Sequence, residues 1–366
     1  MKAPVMPAEF PGVAATENGS ETPPRSGAAF DAQHTLRLAR AHEARRPVKR
    51  PRVDSRLRPA VVAAALLPPL LLTGCGSGDP DDMAVAGARN SPAPTDDPVA
   101  AVREVDSVAA LLPAAVRKSG TLRVGSSVAA PPTAYYPNGS DQQPEGQDID
   151  IADAVAKVLG IGLERQDASF ETILPALRSG KYDFGTGNFG VTTERLKTID
   201  FVTYIDDGQG FAVKEGDTSF GEKVTDLVQL CGRTVGIGAG TTFEATLEAN
   251  KEVCEKADKK PYDVKVYSDN GATVTALQQG RIDVIMSTIN GLRYQASQPA
   301  AHTAFLGEYH RLDVGFTFKK DSPLTEAFQA AVNELIDDGT YARILEKWGT
   351  SASAIETSRI NPPEHT

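Results

Sequence analysis

Arg195 is the side chain in this sequence best suited to hold a small anion. Its guanidinium is a planar fork of donors that meets a carboxylate with two parallel hydrogen bonds, which a lysine ammonium does not copy. It follows the loop Gly187-Asn188-Phe189-Gly190-Val191-Thr192. Gly187 and Gly190 let a small molecule approach main-chain N–H and C=O groups, and Asn188 adds a side-chain donor and acceptor. The plainer alternatives are a surface arginine paired with Glu194 or Asp200, and glycines that only serve a tight turn. Farther on, Gly240-Thr241-Thr242 stands between a strand-like and a helix-like stretch. Amides at a helix start favour an anion, and a threonine hydroxyl either adds a donor or caps the helix. The histidines (34, 42, 302, 310 and 365) lie outside these motifs. No Ser-His-Asp arrangement and no metal-ligand spacing accompanies them. The chemistry expected is reversible binding, with no enzyme activity, no cofactor and no metal.

A different chemistry is written at Leu72-Thr73-Gly74-Cys75, which resembles a bacterial lipobox. The apolar run from Ala60 to Leu72 is too short to span a bilayer, which takes about 20 apolar residues. It suits the apolar part of a signal peptide, with Arg56 and Arg58 as its positive start. Cys75 is then the lipidated first residue of an extracytoplasmic protein tethered to the cell membrane. No later segment is long and apolar enough to span a membrane. Residues 1–52 are polar and Arg/Pro/Ala-rich without helical or strand period, and the natural start is expected near Val53.

Residues 1–74 hold 11 of the 38 Lys+Arg and 6 of the 48 Asp+Glu, which leaves 27 against 42 and a net charge of −15 for the rest. An acidic chain of this kind argues against nucleic acid and against a basic patch for anionic lipid. With Cys75 assigned to lipid, Cys231 and Cys254 remain in an oxidising compartment, where a disulfide is expected. Two cysteines without a nearby histidine are too few for a zinc site.

Alternating strand and helix patterns must position the candidate residues. Residues 75–104 are rich in Gly, Ser, Pro, Asp and Ala and read as a disordered tether. An amphipathic helix is predicted from Val105 to Lys118. It is followed by a strand at Leu122–Gly125, a helix at Asp148–Leu159, a strand at Gly162–Ala168, a helix at Glu171–Arg178 and a strand from Tyr182 to Val191. A short helix at Thr193–Thr198 carries Arg195. A second series follows, with strands at Thr234–Ile237, Asp263–Tyr267 and Ile282–Ser287 and helices at Thr242–Ala249 and Ala272–Gln279. Strands at Gly210–Lys214 and Leu312–Lys319 flank it, and helices Leu324–Asp337 and Thr340–Trp348 close the body. Such alternation predicts an α/β fold with mostly parallel sheets. Two crossing strands between two lobes make a hinge, with a ligand cleft between the lobes. Lobe one is expected over 105–211 and again over 313–350, lobe two over 212–312, and a tail over 351–366.

Several segments in this order resemble the family 3 extracellular solute-binding proteins, receptors of polar amino acid ABC importers. They are Gly146-Gln-Asp-Ile-Asp-Ile-Ala-Asp, Ile173-Leu-Pro-Ala-Leu-Arg-Ser-Gly-Lys-Tyr-Asp-Phe, Thr192-Thr-Glu-Arg-Leu-Lys-Thr-Ile-Asp-Phe, Cys231-Gly-Arg-Thr-Val-Gly-Ile-Gly-Ala-Gly-Thr-Thr, Leu277-Gln-Gln-Gly-Arg-Ile-Asp-Val and Asp338-Gly-Thr-Tyr-Ala-Arg-Ile-Leu-Glu-Lys-Trp. The resemblance covers Gly120 to Thr350. It implies the periplasmic-binding-protein-like type II fold and places Arg195 as the clamp for a ligand's α-carboxylate, joined from lobe two by Thr242. It also places Phe170 against the ligand's side chain; the plain reading of Phe170 is a core aromatic. Partners implied are a small amino acid or related carboxylate and the permease and ATPase of an importer, with the receptor a monomer. A receptor feeding a membrane signalling partner, and a cyclohexadienyl dehydratase-like enzyme, are the alternatives on this fold.

Three positions depart from the family pattern. Gln147 replaces an aromatic or aliphatic residue. The aromatic that opens the pocket falls on Ala130, with Tyr135 or Tyr136 as substitutes. Thr288 stands where an aspartate usually meets the α-ammonium; Asn290 or a carbonyl is the expected replacement. The acidic position used for basic amino acids is Ser127, so lysine, arginine and histidine are not the expected ligands.

Overall fold

The computed structural model describes residues 97–137 and 143–365. The expected extension at 1–52, the expected signal peptide at 53–74 and Cys75, the expected lipidation site, lie outside the described residues.

Among the described residues, eight strands form one sheet in the order β2-β1-β3-β8-β4-β7-β5-β6. The strands are β1 (Thr121–Ser126), β2 (Gly162–Asp167), β3 (Phe184–Gly190), β4 (Ile199–Lys214), β5 (Thr234–Gly238), β6 (Asp263–Tyr267), β7 (Val284–Thr288) and β8 (Thr303–Lys319). The expectation of mostly parallel sheets is corrected here. β1 runs parallel to β2 and β3, and β5 parallel to β6 and β7, but β4 and β8 are antiparallel to each other and to their other neighbours. The two expected short hinge strands are the ends of two long ones, paired from Ile199↔Lys319 to Lys214↔Thr303. At the crossing, a Cβ on Gly208 would lie 2.1 Å from the His310 carbonyl oxygen, so only glycine lets the strands approach this closely there.

Helices cover both faces of this sheet: α1 (Asp106–Ala109), α2 (Ala114–Ser119), α3 (Gln147–Val158), α4 (Phe170–Arg178), α5 (Thr193–Leu196), α6 (Thr242–Ala249), α7 (Val253–Lys256), α8 (Asn270–Gln278), α9 (Ile289–Ser297), α10 (Thr325–Asp337) and α11 (Thr340–Lys347). The single helix expected over 105–118 is two short ones, because Pro113 caps α2 and lacks the amide that would continue α1. α9 went unread because Asn290-Gly291 is a poor helix opening.

The period-two pattern of β4 sorts its side chains between cores. In lobe two, Phe211 and Val213 join Phe243, Leu247, Val235 and Met286 on one face. Ala212 joins Ala276, Leu277, Ile285 and Leu292 on the other. In lobe one, Phe201 packs with Ile173, Leu177, Phe189 and Val191. Across the sheet, Tyr204, Phe316 and Phe318 join Phe184, Phe328 and Ile151. Phe184 and Phe328 meet edge to face at 4.9 Å. Each such buried ring contributes about 1.5–3 kcal/mol.

Order begins before Val105. Val99 and Val102 are buried in the lobe-one core, and the Lys157 ammonium donates to the Val99 carbonyl at 2.8 Å. The tether expected through residue 104 therefore yields to packing from 97 onward, because two valines three apart suffice to seat a turn on α3. The tail is ordered as well. Ile360 bridges Val202, with Thr203 N–H donating to Arg359 and Asn361 N–H donating to Phe201. Arg359 then reaches the buried Asp313 with two contacts at 2.6 and 2.7 Å, and His365 meets the same carboxylate at 2.9 Å. Cys231 and Cys254 are joined in a disulfide with their Cα atoms 5.5 Å apart.

Candidate functional site

The loop that closes β3 turns on two unusual backbone conformations. Gly187 has φ 150, and a Cβ there would lie 2.7 Å from Ser127 Cβ at the end of β1. Asn188 has φ 59, the left-handed region that asparagine tolerates better than most residues. Its amide donates to Asp148 Oδ2 at 2.9 Å and its side-chain Nδ2 to Asp207 Oδ2 at 2.7 Å. Both carboxylates are fully buried. Burial raises Asp148 to about 6, against the Asn188 amide, whose hydrogen bond favours its ionised form. Burial likewise raises Asp207, opposed by Asn188 and Asn290. Gln147, also fully buried, sits beside Asp148 at the start of α3.

Arg195 is carried by the single turn α5, whose N-cap Thr192 accepts the Arg195 amide at 3.2 Å. The guanidinium donates from Nη1 to the Gly190 carbonyl at 3.0 Å and from Nη2 to the Gly240 carbonyl at 3.2 Å. The first bond stays in lobe one and the second crosses to lobe two. It lies 5.8 Å from the ring centroids of both Phe170 and Phe189. Among the described residues no carboxylate forms an ion pair with it. Burial lowers its pKa to about 10, with the Glu364 carboxylate of the tail acting in the opposite sense. A half-buried cation whose hydrogen bonds go only to carbonyls gains from an incoming anion.

Lobe two presents Gly240 and the start of α6. Thr241 is the N-cap: its hydroxyl accepts from the Glu244 amide at 3.4 Å and donates to the Gly238 carbonyl at 2.8 Å. Glu244 in turn accepts from the Gly240 amide at 2.8 Å. Thr242 comes closer to lobe one, since a Cβ on Gly190 would lie 3.5 Å from Thr242 Cγ2. A Cβ on Gly240 would lie 3.0 Å from Glu171 Cβ. The structure thus brings together Arg195, Gly187, Asn188, Gly190, Phe170, Thr241 and Thr242. Phe170 stacks on Phe189 at 4.3 Å, so one of its faces belongs to the lobe-one core.

Thr288 ends β7 and caps α9, accepting from the Gly291 amide at 3.1 Å. Its strand partner is Gln209. Asn290 is buried, its amide donating to Asp207 Oδ1 at 3.2 Å and its Oδ1 accepting from Ser353 at 3.0 Å. Tyr135 does not replace the missing pocket aromatic: it is buried edge-on against Trp348 at 6.1 Å. Tyr136 lies beside Asp167, and burial, joined by that carboxylate, raises its pKa. Sequence reading missed Asp148 and Asp207. The adjacent acids Asp206-Asp207 inside an otherwise apolar strand were the available signal for the second.

The family model of bacterial extracellular solute-binding proteins, family 3, matches residues 122–351. The arginine-binding protein ArgT of Corynebacterium glutamicum is 29% identical over 259 residues, covering 70% of this chain and 83% of that protein. The L-cystine-binding protein TcyJ of Escherichia coli K12 is 29% identical over 236 residues, covering 64% of this chain and 84% of its own. A solved ancestral arginine-binding protein bound to arginine is 33% identical with a TM-score of 0.55, over 63% of this chain and 98% of that one. These relatives are binding proteins, and this chain has the two-lobe, periplasmic-binding-protein-like type II fold. This chain belongs to the bacterial extracellular solute-binding proteins, family 3.

Proposed function

We propose that this chain is a lipid-anchored receptor, acylated at Cys75, that captures a small amino acid outside the cell membrane and presents it to an ABC permease and ATPase. Arg195 holds the ligand's carboxylate, with Gly187, Asn188 and Gly190 offering main-chain and amide groups and Thr241-Thr242 closing from lobe two. The ligand bridges the lobes, so binding favours the closed form through contacts that the open form lacks. The observation that carries this reading is the half-buried Arg195 guanidinium, bonded to one carbonyl from each lobe and, among the described residues, ion-paired with no acid.

A neutral or acidic amino acid fits best. Ser127 and Thr288 stand where an acid would meet a cationic group, and the Thr288 hydroxyl already caps α9. Binding of arginine by several relatives makes basic amino acids the informative controls. The test is a thermal-shift screen of the full chain against the twenty L-amino acids, L-cystine and small carboxylates without an amino group. A ligand at a hundred times its Kd adds about 2.7 kcal/mol. A large shift with a neutral or acidic amino acid, abolished in Arg195→Ala, is the expected result. Shifts confined to lysine, arginine or histidine overturn the specificity, and no shift with any carboxylate overturns the reading.

A further inference from the structure

We propose that Asp207 is a positioning residue that joins the Asn188 loop of lobe one to α9 of lobe two, making the state of that loop and lobe closure one event. The proposal rests on the reading of Gly187–Gly190 as the ligand loop.

Asp207 lies near the middle of β4, close to where the long strands leave lobe one for lobe two. Each of its oxygens faces a different lobe. Oδ2 accepts from the Asn188 side chain at 2.7 Å, and Oδ1 accepts from the Asn290 amide at 3.2 Å. The carboxylate is fully buried, so water does not stand in for a lost donor. Asn188 is held at both ends, by Asp148 on its amide and Asp207 on its side chain, in a left-handed conformation that is strained without such support. On the other side, Asn290 is fixed through its own side chain by Ser353 of the tail. A continuous path therefore runs Asp148–Asn188–Asp207–Asn290–Ser353. Swinging α9 away from β4 breaks the Asn290 bond, and what remains at Asp207 is a buried carboxylate with one donor fewer. Movement of the Asn188 side chain has the same effect from the other lobe. Both ends thus favour the same closed arrangement.

The test is amide hydrogen exchange followed by NMR on the full chain. Asp207→Asn keeps an acceptor for the Asn290 amide and turns the other atom into a donor facing the Asn188 donor. A purely local effect speeds exchange at Asn188 alone. The coupling proposed here speeds Asn188 and Asn290 together, about ten-fold each, with Val155 in α3 and Ile237 in β5 unchanged. The swap Asn188→Asp with Asp207→Asn restores a donor–acceptor pair with the roles exchanged, and brings both amides back to within about three-fold of the parent. An unmoved Asn290 in Asp207→Asn, or a swap without recovery, overturns the proposal.

A second arm separates this from the ligand assignment. Whichever of the twenty L-amino acids and L-cystine gives the largest thermal shift slows Asn290 exchange in the parent and not in Asp207→Asn. Slowing in both overturns the coupling. If none shifts the parent while the exchange results hold, the amino acid reading fails and the coupling between lobes stands.

Discussion

Arg195 Nη2 donates to the Gly240 carbonyl oxygen at 3.2 Å, so the guanidinium of one lobe is already satisfied in part by the backbone of the other. An incoming carboxylate meets a cation that is half-buried and oriented but bonded to neutral acceptors. Arg195→Ala is expected to raise Kd more than 100-fold, the loss of about 3 kcal/mol. Arg195→Lys is expected to recover little, because an ammonium does not reach two carbonyls and a carboxylate in one plane. Isothermal titration with the best amino acid checks both; Arg195→Lys with parental affinity contradicts the fork geometry.

Asp148 gives a pH signature of definite sign. Burial raises its folded pKa to about 6, above the unfolded value, so the folded state holds more protons between the two. Its contribution is most favourable below the unfolded pKa and is lost as pH rises through about 6. Asp183 and Asp200 run the other way: their pKa values are lowered by Arg123 and by Lys320 with Asn361, and their contributions are lost as pH falls. Asp148→Asn keeps an acceptor for the Asn188 amide and removes the buried charge. The gain in Tm over the parent is expected to be larger at pH 8 than at pH 5, and a gain independent of pH counts against the assignment.

The Cys231–Cys254 bridge spans a sequence separation of 23 and ties the short helical turn Leu227–Leu230 to α7. On the chain-entropy model a loop of this size stabilises by about 3 kcal/mol. The double variant Cys231→Ser with Cys254→Ser should lose about that much in urea unfolding. The parent should lose the same amount in reductant, and an unchanged midpoint contradicts it.

Asp313 is 3% exposed and takes two contacts from Arg359. Removing the guanidinium leaves a nearly buried carboxylate with His365 Nε2 as its neighbour at 2.9 Å. Arg359→Ala should cost about 1–2 kcal/mol, a fall of about 3–6 °C in Tm. Adding Asp313→Asn should return part of it, since the unpaired charge is then gone. A double variant less stable than Arg359→Ala argues that Asp313 has a second role.

The parts of the fold and site that could be read from the chain were those set by local pattern. Arg195, the loop before it and the Gly240-Thr241-Thr242 turn are contiguous signals, and the structure gathers them at one cleft. Strand identity along β4 and β8 was only half visible, because Asp206, Asp207, Glu308 and Arg311 interrupt the apolar pattern where the strands cross. Asp207 is satisfied by Asn188 and Asn290, and Asp206 by Arg311, partners far away in sequence that no periodicity announces. Tyr135 misled for the same reason: its burial against Trp348 depends on α11, more than two hundred residues later.

β7 pairs with β4 only from Gln209 to Ala212, and β8 takes the other side throughout. The outer flank of β4 from Phe201 to Thr203 is met instead by Arg359, Ile360 and Asn361. Without that cover, three residues of a long apolar strand would offer unpaired main-chain groups to another molecule, the arrangement from which edge-to-edge aggregation grows. The segment Arg359–Asn361 therefore acts as the sheet's selvedge, and a chain ending at Thr350 should form soluble oligomers or precipitate where the full chain stays dispersed.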